Sequence, residues 1–182
     1  MARQILDITL ENLGHAPQEA LDTVFWEIDR GSDDPRFDKE QWFSSTLLEW
    51  GSCGKLLVDA EAVGFAEYAP PALYPRLGSF AAAPASGDAI YLAYCYLATE
   101  HRREGGGSDL VRAVARDLVD RGYRALEAVG DRRWDGSWVL PEGFLAACGF
   151  RVLREDERFP LMRLDLSSRA PALRAVEAAV TT

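Results

Sequence analysis

The sequence predicts a mixed α/β fold, a mostly antiparallel central sheet with helices on both faces. Three observations carry this. Segments with alternating or continuous apolar residues are interleaved with segments whose apolar residues recur at helical spacing. The longest apolar run, AIYLAYCYLA at residues 89–98, suits a strand buried on both faces. The chain has 182 residues, 48% hydrophobic and 10% aromatic. That is enough for a sizeable core in one domain, and it excludes disorder or a disulfide-stapled mini-fold.

Residues 5–10 alternate apolar with polar and form an opening strand. After Pro17 and Gln18, residues 19–29 carry Leu21, Val24, Phe25 and Ile28 as a helical stripe. Gly31-Ser32-Asp33-Asp34-Pro35 is a loop of turn formers. A second helix over 37–50 has Phe37, Trp42, Phe43, Leu47 and Leu48 as its apolar members. Strands at 55–59 and 62–68 join through Ala60 and Glu61, and Pro70-Pro71 stops the second. Residues 73–87 are irregular, a length that in compact domains usually signals function or mobility.

The central strand follows at 89–98, with Tyr94 and Tyr96 on the face of Leu92 and Tyr91 on that of Ala93 and Cys95. Residues 101–107 make a glycine-bearing turn into the most regular helix, whose stripe is Leu110, Val111, Val114, Ala115, Leu118 and Val119. Gly122 ends it. A strand at 124–129, a Trp-rich loop at 131–138 and a short helix at 141–148 come next, then a hairpin of strands 150–154 and 159–166. The expected organisation is one domain over 1–166, with 167–182 a tail or short helix.

Charge narrows the function. The formal net charge is −9 at pH 7. Residues 1–70 hold 14 Asp/Glu against 5 Lys/Arg, whereas residues 71–182 hold 15 of each. An acidic chain without a basic run is poorly suited to nucleic-acid phosphates or anionic lipid, so neither is expected as a partner. No apolar run reaches membrane-spanning length, and the first residues lack the pattern of a signal peptide. Cys53, Cys95 and Cys148, an odd count in unrelated contexts, suggest reduced thiols and a cytoplasmic location. With only His15 and His101 and no close Cys/His pairs, no metal site is expected.

The sharpest feature is Arg102-Arg103-Glu104-Gly105-Gly106-Gly107-Ser108, between the buried strand and the long helix. Successive glycines let several N–H groups converge, and the helix adds its unpaired N-terminal donors and positive dipole end. Such a site suits phosphate. A Walker loop would need Lys-Ser/Thr after the last glycine, and Ser108-Asp109 stands there. A dinucleotide fingerprint would need glycine at 110, which is Leu110.

The loop resembles the acetyl-CoA loop of the GCN5-related N-acetyltransferase (GNAT) superfamily, Arg/Gln-x-x-Gly-x-Gly/Ala, which Arg102 to Gly107 match in full. The tyrosine-rich strand, the long helix, the next strand and the late Gly149-Phe150 extend the likeness over residues 62–166. The resemblance implies a GNAT-like fold and acetyl-CoA as co-substrate, with no metal. Leu97, Ala98, Arg102, Arg103, Glu104, Gly105, Gly106, Gly107 and Ser108 would then hold the cofactor. A deprotonated amine would attack the thioester directly, backbone donors stabilising the oxyanion.

The superfamily's tyrosine four residues before Gly-Phe, which protonates the departing thiolate, is replaced by Leu145 beside Phe144. Cys148, Tyr94 and Tyr96 are the candidate substitutes. Glu67, on the strand next to the central one, is the candidate general base. Glu27, Asp29 and Glu127 are candidate partners of a cationic acceptor. The resulting expectation is transfer of acetyl to a primary amine of a small cationic acceptor, by a chain that dimerises as superfamily members often do. The alternatives are a catalytically silent acyl-CoA-binding module and transfer to a protein amine or a hydroxyl. The superfamily's layout, in which the first two helices wall the acceptor side, implies that the acidic excess of residues 1–70 faces an arriving cation; the alternative is a charge that serves solubility alone.

Overall fold

The alternating segments assemble into a sheet of eight strands in a computed structural model that describes residues 2–166. In chain order the elements are β1 (Gln4–Asp7), α1 (Gln18–Leu21), α2 (Pro35–Glu49), β2 (Gly54–Asp59), β3 (Glu61–Ala69) and β4 (Ala89–Leu97). Then follow α3 (Gly106–Asp120), β5 (Ala125–Asp131), β6 (Leu140–Pro141), α4 (Glu142–Ala147), β7 (Arg151–Arg154) and β8 (Leu161–Asp165). The strand order is β1-β2-β3-β4-β5-β8-β7, with β6 also on β5. Only the β4–β5 and β5–β6 pairs are parallel. The mixed, mostly antiparallel sheet is thus as expected, and the tail at 167–182 lies outside the described residues.

Strand alternation feeds a core on each face. Leu56, Phe65 and Tyr91 pack with Phe43, Trp26 and Tyr74 on one side. Leu57, Ile90, Leu92 and Leu126 pack with α3 and Leu145 on the other. From α3 come Leu110, Val111, Val114, Ala115 and Leu118, each larger one stabilising by roughly 1.5–3 kcal/mol through burial. Gly122, at φ +84°, turns the chain out of that helix.

Three expectations change. The predicted helix over 19–29 shortens to α1, and the chain continues in turns. The Trp26 N–H that a helix would use internally instead donates to Tyr94 Oη at 3.0 Å. The Thr23 hydroxyl accepts from the Phe25 N–H at 3.2 Å, and Arg76 caps the carbonyls of Phe25 and Ile28. In α2, Phe37 and Leu48 face outward, 57% and 88% exposed, while Lys39, Phe43 and Thr46 form the buried stripe.

The third change is on β4. Glu67 pairs with Tyr94 but Tyr68 pairs with Leu92, leaving Ala93 as an extra residue. This bulge resets the alternation. Tyr91, Tyr94 and Tyr96 therefore all turn to the face of Phe65, and Cys95 and Leu97 turn to the face of α3.

Candidate active site

β4 and β5 run together only over Ala89–Tyr91 and Ala125–Glu127. β5 is paired with β8 all along Ala125–Val129 and with β6 at Gly130–Asp131, whereas past Tyr91 β4 keeps only β3. Backbone polar groups of β4 past Tyr91 therefore face a gap on the β5 side, where they need partners from elsewhere. The gap opens into a cleft of about 940 Å³. One wall is Tyr94, Cys95, Tyr96 and Leu97, continuing through Arg102, Arg103, Gly105, Gly107 and Ser108. The opposite wall is Trp134, Ser137, Trp138, Leu140 and Phe144, and Glu19 of α1 closes the remaining side.

The glycine loop ends where α3 begins, and the helix starts at Gly106, earlier than the sequence pattern suggested. Gly105 is the N-cap at φ +82°, with open space where a side chain would stand. The first intrahelical donor is Asp109, whose N–H reaches Gly105 O at 3.0 Å. The N–H groups of Gly106, Gly107 and Ser108 precede it and have no acceptor within the helix. Side chains at Gly106 and Gly107 would meet Leu57 at 2.7 Å and Phe144 at 2.9 Å, so these glycines let the helix start pack tightly. A cradle of unpaired donors beside a half-paired strand suits an extended ligand that carries amides and phosphates.

Other loop residues divide. Arg102 Nε donates to Leu97 O at 3.0 Å, and its guanidinium lies over the Tyr96 ring. Glu104 does not line the cleft; it is held by Arg3, which also donates to the Glu104 carbonyl at 3.0 Å. Ala98 stands behind the wall, its N–H donating to Val63 O at 2.8 Å.

The expected acid–base residues separate. Glu67 is fully buried and stands off the cleft, in a cluster with Lys39 and Glu27. Lys39 Nζ lies 2.8 Å from Glu27 Oε1 and 3.9 Å from Glu67 Oε2, and 4.2 Å from the centre of the Tyr94 ring. Burial above all, with the Glu27 charge adding to it and Lys39 opposing, holds the Glu67 carboxyl well above the usual carboxylate range. Tyr94 lines the cleft, but its side chain is fully buried. Its hydroxyl donates to Glu27 Oε2 at 2.6 Å and accepts from Trp26 N–H.

Tyr96 is half-buried and lines the cleft. Burial first, then Glu19, raises its phenol, and Arg102 pulls the other way. Cys148 stands outside the cleft, its Sγ 3.8 Å from Ser108 Oγ. Burial pushes the Cys95 thiol up, away from a reactive thiolate. Leu145 is fully buried in the α3-side core, and Phe144 fills the cleft wall instead.

The expected acceptor carboxylates are also placed elsewhere. Glu27 belongs to the Lys39 cluster, and Asp29 lies exposed in the bend after it. Glu127 is fully buried, accepting from Ser86 N–H at 2.8 Å and Arg163 at 2.9 Å. It therefore ties β5 to β8 and does not face the cleft. Glu19 is the carboxylate on the cleft wall, and it was missed because it reads as an ordinary first-turn residue of α1.

A model of the acetyltransferase (GNAT) family matches residues 19–134, from the Glu19 wall to Trp134. The chain belongs to this family. No curated protein matches the chain significantly. Among solved structures, an N-acetyltransferase from Staphylococcus aureus Mu50 is 18% identical with a TM-score of 0.62, covering 91% of this chain and 99% of that one. YncA from Salmonella typhimurium, solved with its cofactor acetyl-CoA, is 14% identical with a TM-score of 0.61 over 91% and 95%. The ribosomal-protein-alanine N-acetyltransferase from Brucella melitensis is 17% identical with a TM-score of 0.61 over 89% and 99%. At these identities the likeness is one of fold.

In this GNAT acyltransferase the Trp-bearing wall has its own anchor. Asp131, at the end of β5 and 2% exposed, accepts from Arg133 N–H at 2.9 Å, Ser137 Oγ at 3.3 Å and Arg158 Nε at 3.1 Å. Burial alone would raise this carboxyl, but the donors, Arg158 first, hold it below the usual range. Trp26 Nε1 donates to Trp138 O at 3.3 Å, and the Trp138 ring stands 5.7 Å from that of Tyr94 and 5.8 Å from that of Tyr96. Among the described residues no helix is long and apolar enough to cross a membrane.

Proposed function

We propose that this GNAT acyltransferase uses acetyl-CoA to acetylate a primary amine of a small cationic acceptor. The observation that carries the reading is the gap between β4 and β5, ending at the unpaired donors of Gly106, Gly107 and Ser108. Those N–H groups, with Arg102 and Arg103 on the same wall, would receive the pyrophosphate. Free backbone groups of β4 would pair with the amides of the pantetheine arm. When bound, acetyl-CoA supplies a thioester carbonyl that the amine attacks, with CoA thiolate leaving.

The chain's own contribution is to hold the two reactants in line and to exclude water. Backbone N–H groups of β4 beside the bulge provide oxyanion donors without side-chain chemistry. Tyr96 is the acid this reading assigns to the thiolate, since it lines the cleft half-buried, whereas Tyr94 is fully buried with its hydroxyl held by Glu27 and Trp26. A thermal shift with acetyl-CoA followed by thiol release over an amine panel tests the reading. Stabilisation and amine-dependent release are expected; no stabilisation at saturating ligand would refute it.

A second reading is a catalytically silent acyl-CoA-binding module. It is favoured by the fully buried Leu145 and the apolar Phe144 on the wall where the family's tyrosine is expected. Stabilisation by acetyl-CoA with no thiol release from any amine would select it.

A further inference from the structure

The cleft wall is chemically two-sided. Its cations, Arg102 and Arg103, flank the donor-rich start of α3 and suit an anion. Its one carboxylate among the described residues, Glu19, would repel that anion and so marks a different occupant. Glu19 is exposed on α1, and no described cation forms an ion pair with it, unlike the paired Glu27, Glu127 and Asp131. Tyr96 and Trp138 share the cleft with it. Tyr96 lies between the two signs of charge, its phenol raised by Glu19 and lowered by Arg102, and Trp138 stands beside it with ring centroids 5.8 Å apart.

We infer that Glu19, with Tyr96 and Trp138, forms the anchoring point for the acceptor's cationic group, and that it selects aliphatic ammonium compounds with an apolar or aromatic body. The carboxylate supplies the charge complement, and the two rings add cation–π attraction and an apolar surface. This inference rests on the reading of the cleft as an acetyl-CoA site and names the chemistry of its second occupant.

The test uses benzylamine and benzyl alcohol, which share a shape and differ in charge, titrated by calorimetry into protein saturated with CoA. Wild type should prefer benzylamine at least fivefold. Glu19→Gln should erase that preference while leaving CoA affinity unchanged, and Glu19→Asp should retain part of it. Glu19 is exposed, so these variants leave the core untouched. An undiminished preference in Glu19→Gln, or none in wild type, overturns the inference while the CoA reading stands. Failure of wild type to bind CoA overturns the proposed function and this inference with it.

Discussion

Glu67 shows how far a residue's role depends on what packs around it. In the sequence it is a carboxylate on the strand beside the central one. In the structure it shares a dry interior with Lys39 and Glu27, and both of its oxygens lack a hydrogen-bond partner among the described residues. A buried carboxyl without donors keeps its proton, so one cation and one ionised carboxylate leave the cluster close to neutral. Its folded pKa is raised, so its contribution to stability is complete below the unfolded value and is lost as pH rises through the folded one. Glu67→Gln, uncharged at all pH, should therefore gain melting temperature over wild type as pH climbs from the usual carboxylate range into the alkaline range. A constant difference across that range would show that Glu67 does not take up this charge.

Tyr96 and Tyr94 separate in the same way. Tyr96→Phe should lower kcat about tenfold or more, with acetyl-CoA affinity unchanged, if its hydroxyl protonates the leaving thiolate. An unaltered kcat would mean that the thiolate leaves unaided. Tyr94→Phe removes the acceptor of the Trp26 N–H and the donor to Glu27, so its main effect should be on stability, roughly 1–3 kcal/mol by chemical denaturation.

At the scale of elements, the glycine loop, the central strand and α3 were legible because their signals are local. Gly105 to Gly107 mark a turn, and the α3 stripe repeats with helical period. The β4 bulge was not legible, since Ala93 looks like any strand residue and its offset exists only against β3. The shortened first helix was hidden for the same reason. Its turns are fixed by Tyr94 and Arg76, both far along the chain. Lys39 in the core could have been suspected from its place on the Phe43–Thr46 stripe, four and seven residues before them.

The Trp-bearing loop between β5 and β6 has Asp131 as a buried anchor, beside the Trp26 Nε1 bond to Trp138 O. Asp131→Asn keeps the shape but loses the ionic bonds to Arg158. It should raise the KM for acetyl-CoA several-fold while lowering stability by about 1–3 kcal/mol. Because the Asp131 carboxyl is depressed in the fold, wild type should lose this contribution as pH falls through the folded value, and the variant should not. A KM that stayed fixed while stability fell would show that the loop does not shape the cofactor wall.

At the scale of the molecule, the acidic excess of residues 1–70 acquires one definite consequence. Some of its charges are spent elsewhere: Glu27 and Glu67 are buried, and Asp7 and Asp22 are paired with Lys55 and Arg36. Glu19 alone among them lines the cleft. The remaining field still favours approach of a cation, so kcat/KM for an ammonium acceptor should fall several-fold as salt rises from about 0.02 to about 0.3 M. A neutral acceptor should show no such slope, and equal slopes for both would exclude steering.

The central claim is that the gap between β4 and β5 is where acetyl-CoA binds. Hydrogen–deuterium exchange with and without acetyl-CoA tests it most directly, because it reads the backbone donors themselves. The account predicts slowed exchange in residues 94–108 and 134–144, with β1 and β7 unchanged. Protection absent from both segments, or concentrated on another face of the sheet, would contradict it.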